Sequence, residues 1–597
     1  MKRTGERRTT LATLLLTLLL SGCLCAFAVE AVASQGQWTT LPYLMPINPI
    51  HMTLMNNGKV LVVAGSGFDA SNTNYEAAVW DPTAGTITRQ RVGWDMFCNS
   101  MVVLPDGRVF VNGGNLKYNP WLGEPRNAVF DPATGQFTDL ENMAHGRWYP
   151  TATTLGDGSV MTFSGLSEFG LTNSTVEIYR TGSGWSPEYA SGWVPPLYPR
   201  MHLLRNGNVV VSGPAPQATI FDTRTKTWSV VAPTNYSGTR RYGSSVLLPL
   251  SPADGYAPRV MIFGGGDPAT ATTEIIDLAA PTPQWQYGPP MSQPRIEMNA
   301  TLLPTGHVLA LGGSAHDEDA TSASLNADLY DPDTNTFSSA GTNVFPRLYH
   351  SNALLLPDAT VALLGSNPTQ GVFEPHIEIY SPAYLFNVDG SVATRPTVTG
   401  VPQTITYGGT FQVQTPDAAA IASVVLMRPG SPTHAFDQDQ RLVRASYTVG
   451  GGVLNVTAPP NGNIAPPGYY MLFILNSAGV PSIASFVRLT ADFSLSAAPA
   501  SQTVLPGGST SYTATVSGTG ATGTVAFSVS GLPSGTTATF TPTSVDGSGS
   551  TTMNVTTGIL TPLGTYQLTI TADNGGLGAR TGVTLIVGPI MPVPGLK

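Results

Sequence analysis

The chain has 597 residues, only 11% of them charged, and a formal net charge of −9. Average globular proteins carry roughly 25% charged residues. This sparsely charged, acidic chain therefore lacks the basic patch that nucleic-acid binding requires. With 64 glycines and 50 prolines and little helical periodicity, it is expected to fold into several turn-rich, all-β domains.

Residues 1–33 read as a signal peptide. Lys2, Arg3, Arg7 and Arg8 form a basic start, and Leu11 to Leu20 an apolar run too short to span a bilayer. Two endings compete. Ala31-Val32-Ala33 fits ordinary cleavage, giving a secreted or periplasmic protein. Leu19-Leu20-Ser21-Gly22-Cys23 resembles a bacterial lipobox, which would leave a lipid anchor at Cys23. No later segment is long and apolar enough to be transmembrane. Removing 1–33 takes away four basic and two acidic residues and moves the net charge from −9 to −11. It also removes Cys23 and Cys25, so Cys98 remains without a disulfide partner.

Across residues 34–388 one pattern recurs: a turn, commonly Asn-Gly or Asp-Gly, then a valine-led apolar strand, then glycine. The valines are Val60, Val109, Val160, Val209, Val260, Val308 and Val361. A spacing of about 50 residues with closing glycines is that of Kelch-type propeller blades. Seven units predict a closed seven-bladed β-propeller. Residues 389–490 lose the period and alternate as strands, for example Thr410-Phe411-Gln412-Val413, which predicts an immunoglobulin-like β-sandwich. Residues 491–597 predict a second sandwich, rich in Ser, Thr and Gly, suited to a spacer or adhesion role. A monomer is expected.

Counting back from the turn that ends each inner strand gives one equivalent position per repeat: Pro49, Cys98, Tyr149, Tyr198, Tyr242, Glu297 and His350. Equal register places these side chains around one mouth of the central channel, where a packed axis would use apolar residues. Cys98 and Tyr149 fall on neighbouring repeats, and Tyr349 precedes His350. Tyrosine, histidine and a thiol together suggest a transition-metal site, because imidazole suits copper, zinc or iron and phenolate supports a higher-valent metal. Zinc would more often recruit several Cys or His at short spacing. The remaining histidines are His51, His145, His202, His307, His316, His376 and His434. A second nitrogen ligand must come from this list, whose other members are read as structural or solvated, with His376 in a blade strand. Tyr198 and Tyr242 are read as pocket wall, and Glu297 as a second-shell acid, a substrate contact or a buried anchor. Arg240 and Arg241 either face the pocket or lie in a solvated loop.

These residues resemble the copper-radical oxidases, the family of galactose oxidase and glyoxal oxidase. Arg147-Trp148-Tyr149 is similar to the glyoxal-oxidase form of the cross-linked tyrosine motif. Arg347-Leu348-Tyr349-His350-Ser351 is similar to the Tyr-His copper motif, and Thr433-His434 with Asp439-Gln440-Arg441 to the third-ligand segment in an early-set domain. The resemblance spans residues 40–490. It implies one copper ion held by Tyr149, His350 and His434, with Tyr349 as axial ligand and base. It implies a Cys98–Tyr149 thioether that stabilises a tyrosyl radical on Tyr149. The implied reaction oxidises a primary alcohol or hydrated aldehyde, simple or carbohydrate, with dioxygen and releases hydrogen peroxide. Two features depart from galactose oxidase. Leu166-Ser167-Glu168-Phe169 has no tryptophan where that enzyme stacks one on the cross-linked tyrosine, and no carbohydrate-binding domain precedes the repeats, so substrate identity stays open. The alternatives are a non-catalytic propeller for glycan binding or adhesion, and a hydrolase or lyase built on Glu297, which would need a second convergent carboxylate.

Overall fold

A computed structural model describes residues 34–490, 493–518, 524–574 and 578–588. Residues 1–33, read as a signal peptide, and Cys23 within them fall outside the described residues. The described chain is all-β, its only helical elements being short single turns. No helix among these residues is long and apolar enough to cross a membrane.

Each of the seven marker valines lies in the second strand of a separate antiparallel sheet. The innermost strands are His51–Leu54, Ser100–Val103, Thr151–Thr154, Met201–Leu203, Ser244–Leu247, Asn299–Leu302 and Asn352–Leu355. They touch their neighbours in chain order, and the last touches the first. Between the fourth and fifth sheets the contact includes a 2.8 Å hydrogen bond linking His202 Nε2 and Ser245 Oγ. The N-terminal strand Gln37–Leu44 pairs antiparallel with His376–Ser381 and supplies the outer strand of the last sheet. Chain closure thus covers a sheet edge that would otherwise be left unpaired.

Local chemistry explains the repeat. At the turns before the marker valines, the side chains of Asn57, Asp106, Asp157, Asn206 and Asp358 each accept the N–H two residues on. The second strands are buried, Val60–Gly65 along its whole length, with Arg259 at the start of the fifth sheet's second strand half-buried, while outer strands such as Thr86–Arg91 face solvent at intervals. The closing glycine admits a neighbour. A Cβ on Gly113 would lie 2.3 Å from the Arg147 carbonyl, and one on Gly264 would lie 2.4 Å from the Arg295 carbonyl, each on the next sheet.

Those arginines are clamps. Arg147–Glu177, Arg240–Glu274 and Arg295–Asp328 pair at 2.8 Å, and Arg347–Glu378 at 2.7 Å, all four buried. Each arginine lies just before an inner strand and its carboxylate in the third strand of the same sheet. Each guanidinium also donates to backbone carbonyls, as Arg147 does to Ser164 and Thr175. Arg240 is therefore structural and does not face the pocket. Arg241 is half-exposed, bound to Asp317 at 2.7 Å and laid over the Tyr242 ring.

Beyond the seven sheets, a five-stranded sheet containing Ile421–Arg428 and Gly468–Asn476 shares one apolar core with the three-stranded sheet of Thr410–Gln414, Tyr447–Gly450 and Val453–Thr457. The described residues between 494 and 587 form another pair of sheets, of four and five strands, around their own core.

Removing one partner of a buried clamp leaves an unpaired buried charge. Glu378→Ala is expected to destabilise the protein by about 3–5 kcal/mol, read as a lowered midpoint in chemical denaturation.

Candidate metal centre

Six of the seven equivalent positions carry a non-proline residue, and all six are left-handed. The φ angles are 59° at Cys98, 66° at Tyr149, 45° at Tyr198, 49° at Tyr242, 63° at Glu297 and 63° at His350. Such residues are uncommon and costly outside glycine. Hydrogen bonds between sheets hold them. Tyr149 N donates to Cys98 O, Tyr198 N to Tyr149 O and Glu297 N to Tyr242 O. The loop before Cys98 is pinned by the buried carboxylate of Asp95, which accepts from Ser66 N, Phe97 N and Asn115 Nδ2.

His434 reaches the same place from the other side of the chain. It sits with Ala435 in a two-residue turn between Pro432–Thr433 and Phe436–Asp437, with φ of 46° and 66°, the positive pair that tight hairpins favour. This hairpin packs against the inner strands from four sheets. Thr433 Oγ1 donates to Ile50 O, Arg200 Nη2 donates to His434 O, and Ser431 and Thr53 share a hydroxyl hydrogen bond. Ser100 Oγ donates to Gln438 Oε1, and Val103 N to Asp439 Oδ2.

The predicted residues converge. The Cys98 Sγ and the ring nitrogens of His350 and His434 all lie within 4.8 Å of one another, buried. Cys98 Sγ is 3.5 Å from His434 Nε2. The His434 ring centroid is 4.5 Å from His350, 4.7 Å from Tyr149 and 5.3 Å from Tyr349, and Tyr349 stacks on His350 at 3.8 Å. Cys98, Tyr149, Tyr198 and Tyr349 share one apolar cluster.

The donor set fits a copper ion. His350 Nδ1 is hydrogen-bonded to Asn367 Oδ1, which accepts. That leaves Nε2 as a buried lone pair with no protein partner, and such a second bond fixes the tautomer of a ligating imidazole. Thr433 Oγ1 plays the equivalent part at His434 Nδ1, 2.6 Å away. Burial keeps both imidazoles neutral, pushing His350 down to about 3 and His434 well below its ordinary range. Burial, then the Asp95 charge, pushes the Cys98 thiol well up. It is not a thiolate nucleophile at neutral pH.

Other expectations sort around this cluster. Tyr198 lies against Tyr149 and His434 and donates to Asn99 O. Tyr242 reaches Tyr349, hydroxyl to hydroxyl, at 3.5 Å. Glu297 is buried next to Tyr242, whose carbonyl accepts its N–H, and burial together with a hydrogen bond shared with Asp317 pushes its carboxyl well up. His376 lies in a blade-position strand, stacked on Phe345. His145, His307 and His316 face surface carboxylates.

Some neighbours escaped sequence reasoning. His51 is fully buried 5.7 Å from the His434 ring, and neither of its nitrogens has a protein partner. Its place on an inner strand carries no distinguishing sequence signal. Asp317, which meets Glu297, comes from a loop. Although Leu166–Phe169 holds no tryptophan, indoles do line the site. Trp148 meets the Tyr149 ring edge-on at 3.8 Å, and Trp121 stacks on Trp148 at 4.5 Å.

Comparison with known proteins agrees with this geometry. The model for the glyoxal oxidase N-terminus matches residues 66–384, and that for the galactose oxidase-like early set domain matches residues 395–489. The chain belongs to the glyoxal oxidase and galactose oxidase-like family. It is 32% identical to an aldehyde oxidase GLOX from Vitis pseudoreticulata over 69% of this chain and 85% of that protein. It is 28% identical to galactose oxidase from Gibberella zeae over 69% of this chain, spanning 64% of that relative. A fungal alcohol oxidase solved in complex with copper superposes with a TM-score of 0.67 at 26% identity, over 76% of this chain and 99% of that one.

The hairpin carrying His434 provides a pH test. Asp437 is buried, and all three backbone N–H groups it accepts, from Ser431, Asp439 and Gln440, go to Oδ1. Burial, with the nearby Asp439 charge, raises its carboxyl to about 6. A raised folded pKa means ionisation costs stability, absent below the unfolded value and complete above the folded one. Asp437→Asn keeps the Oδ1 acceptor without the charge. Its thermal midpoint should match wild type near pH ~4 and exceed it increasingly toward neutrality. A variant less stable at neutral pH contradicts this.

Proposed function

We propose that the protein is a copper radical oxidase that converts a primary alcohol or hydrated aldehyde with dioxygen and releases hydrogen peroxide. The observation that carries this is the convergence of Cys98, Tyr149, Tyr349, His350 and His434 in one buried cluster. The aldehyde, galactose and alcohol oxidases to which the chain is similar support the same class. The seven sheets are read as a Kelch-type propeller over 34–388. Residues 389–490 are read as an immunoglobulin-like early-set domain that supplies His434, and residues 491–597 as a second immunoglobulin-like module acting as spacer or adhesion element.

Tyr149, Tyr349, His350 and His434 would hold the copper. Bound there, it supplies a one-electron redox partner beside the Tyr149 radical and an open position for substrate oxygen. The chain's own residues do the rest. Tyr349 Oη takes the substrate hydroxyl proton, with Tyr242 Oη beside it to orient the phenol. The Tyr149 phenoxyl takes a hydrogen atom from the adjacent carbon. A thioether from Cys98 donates electron density to the Tyr149 ring and makes its radical easier to form. Dioxygen accepts the two electrons and two protons removed from substrate.

Two measurements test this reading. The intact mass of aerobically copper-loaded protein should fall by two hydrogens, with Cys98 resistant to alkylation and Cys98→Ser showing no loss. A freely alkylated Cys98 after loading would sink the radical mechanism. Tyr349→Phe should keep the cross-link yet lower kcat for peroxide release by about 100- to 10,000-fold. A panel of alcohols, sugars and aldehydes in the same assay assigns the substrate.

A further inference from the structure

The Tyr149 radical must be made before turnover, which requires one electron to leave a buried ring; Tyr149 is 4% exposed. Three rings lie against it: Trp148, Tyr198 and His434. Tyr198 is buried and its only other ring contact is His434, an imidazole that is hard to oxidise. Trp148 leads outward. It meets Tyr149 at 3.8 Å and stacks on Trp121 at 4.5 Å with planes 15° apart. Trp121 in turn meets Tyr118 at 4.3 Å.

Trp121 is half-buried at the surface, in the loop between the short strands Asn115–Lys117 and Leu122–Gly123. This hairpin is an insertion between the second and third strands of its sheet. Its Lys117 is exposed, and the Asp69 and Asp95 carboxylates act on the neighbouring Tyr118. Indole and phenol are the readily oxidised aromatic side chains, and tunnelling between rings in contact is fast because it falls steeply with distance.

We infer that Trp148 and Trp121 form a one-electron conduit from Tyr149 to the surface hairpin, where an outer-sphere one-electron oxidant generates the radical. This rests on the radical reading above. An oxidant takes one electron from Trp121, Trp121 takes one from Trp148, and Trp148 takes one from Tyr149. Both indoles return to their starting state. The oxidant gains one electron; Tyr149 loses one, together with its phenolic proton wherever it still carries one, which passes to buffer.

The test mixes cross-linked, copper(II)-loaded protein that lacks the radical with hexachloroiridate(IV) in a stopped-flow instrument and follows growth of the radical absorbance, not turnover. Trp121→Phe keeps a stacked ring that is not readily oxidised and should slow radical growth by about tenfold or more. Trp121→Tyr should restore the rate, which a purely structural role for the indole would not predict. Trp185→Phe, on another sheet, serves as control and should match wild type. Equal rates in Trp121→Phe and wild type overturn the conduit and leave the radical reading intact. No radical in wild type, with Cys98 freely alkylated, overturns both.

Discussion

The centre depends on a backbone constraint. Just before the innermost strand of six sheets, a non-glycine residue is held left-handed. Each such residue costs on the order of 1–3 kcal/mol and persists because the surroundings leave no alternative. The carbonyl of one accepts from the N–H of the next along Cys98, Tyr149 and Tyr198. The result turns side chains of unrelated chemistry toward one mouth while the strands behind them stay apolar. Strain concentrates where the chemistry is, and the buried arginine clamps on the same loops hold it in place.

The axis of the ring is not filled by the ring's own side chains. A hairpin from the sheet pair that follows enters it and presents His434. Buried polar main chain is tolerated only where it is hydrogen-bonded, and side chains of the inserted segment bond to main-chain groups of the ring. Asp439 accepts from Val103 N, Thr433 and Gln440 donate to the carbonyls of Ile50 and Ala300, and Arg428 and Arg441 donate to those of Val103 and Leu203. The two parts of the site are therefore parts of one packing unit.

What could be read from the sequence follows from what is periodic. The turn, valine and glycine recur locally, so each marker valine falls in the second strand of its own sheet, and equal counting finds residues of equal backbone conformation. Cys98, Tyr149 and His350 were legible for that reason. His434 has no periodic partner; physics alone placed it nowhere, and resemblance to a family suggested its role. The clamps were missed because each pairs residues about 30 positions apart, as Arg147 with Glu177, and Arg240 in isolation read equally as a pocket residue or part of a solvated loop. His51, Asp317 and the Trp121–Trp148 stack depend on where loops cross, which spacing does not encode.

The N-terminal strand Gln37–Leu44 hydrogen-bonds to the third strand of the last sheet. The ring cannot close until some 340 residues separating these strands have been made and folded. His350 belongs to that last sheet, and His434 lies further on still. Cys98 and Tyr149, by contrast, belong to neighbouring sheets encoded earlier in the chain. Synthesis order thus separates the thiol and the phenol from the imidazoles, and the buried cluster of all four is complete only once the ring has closed.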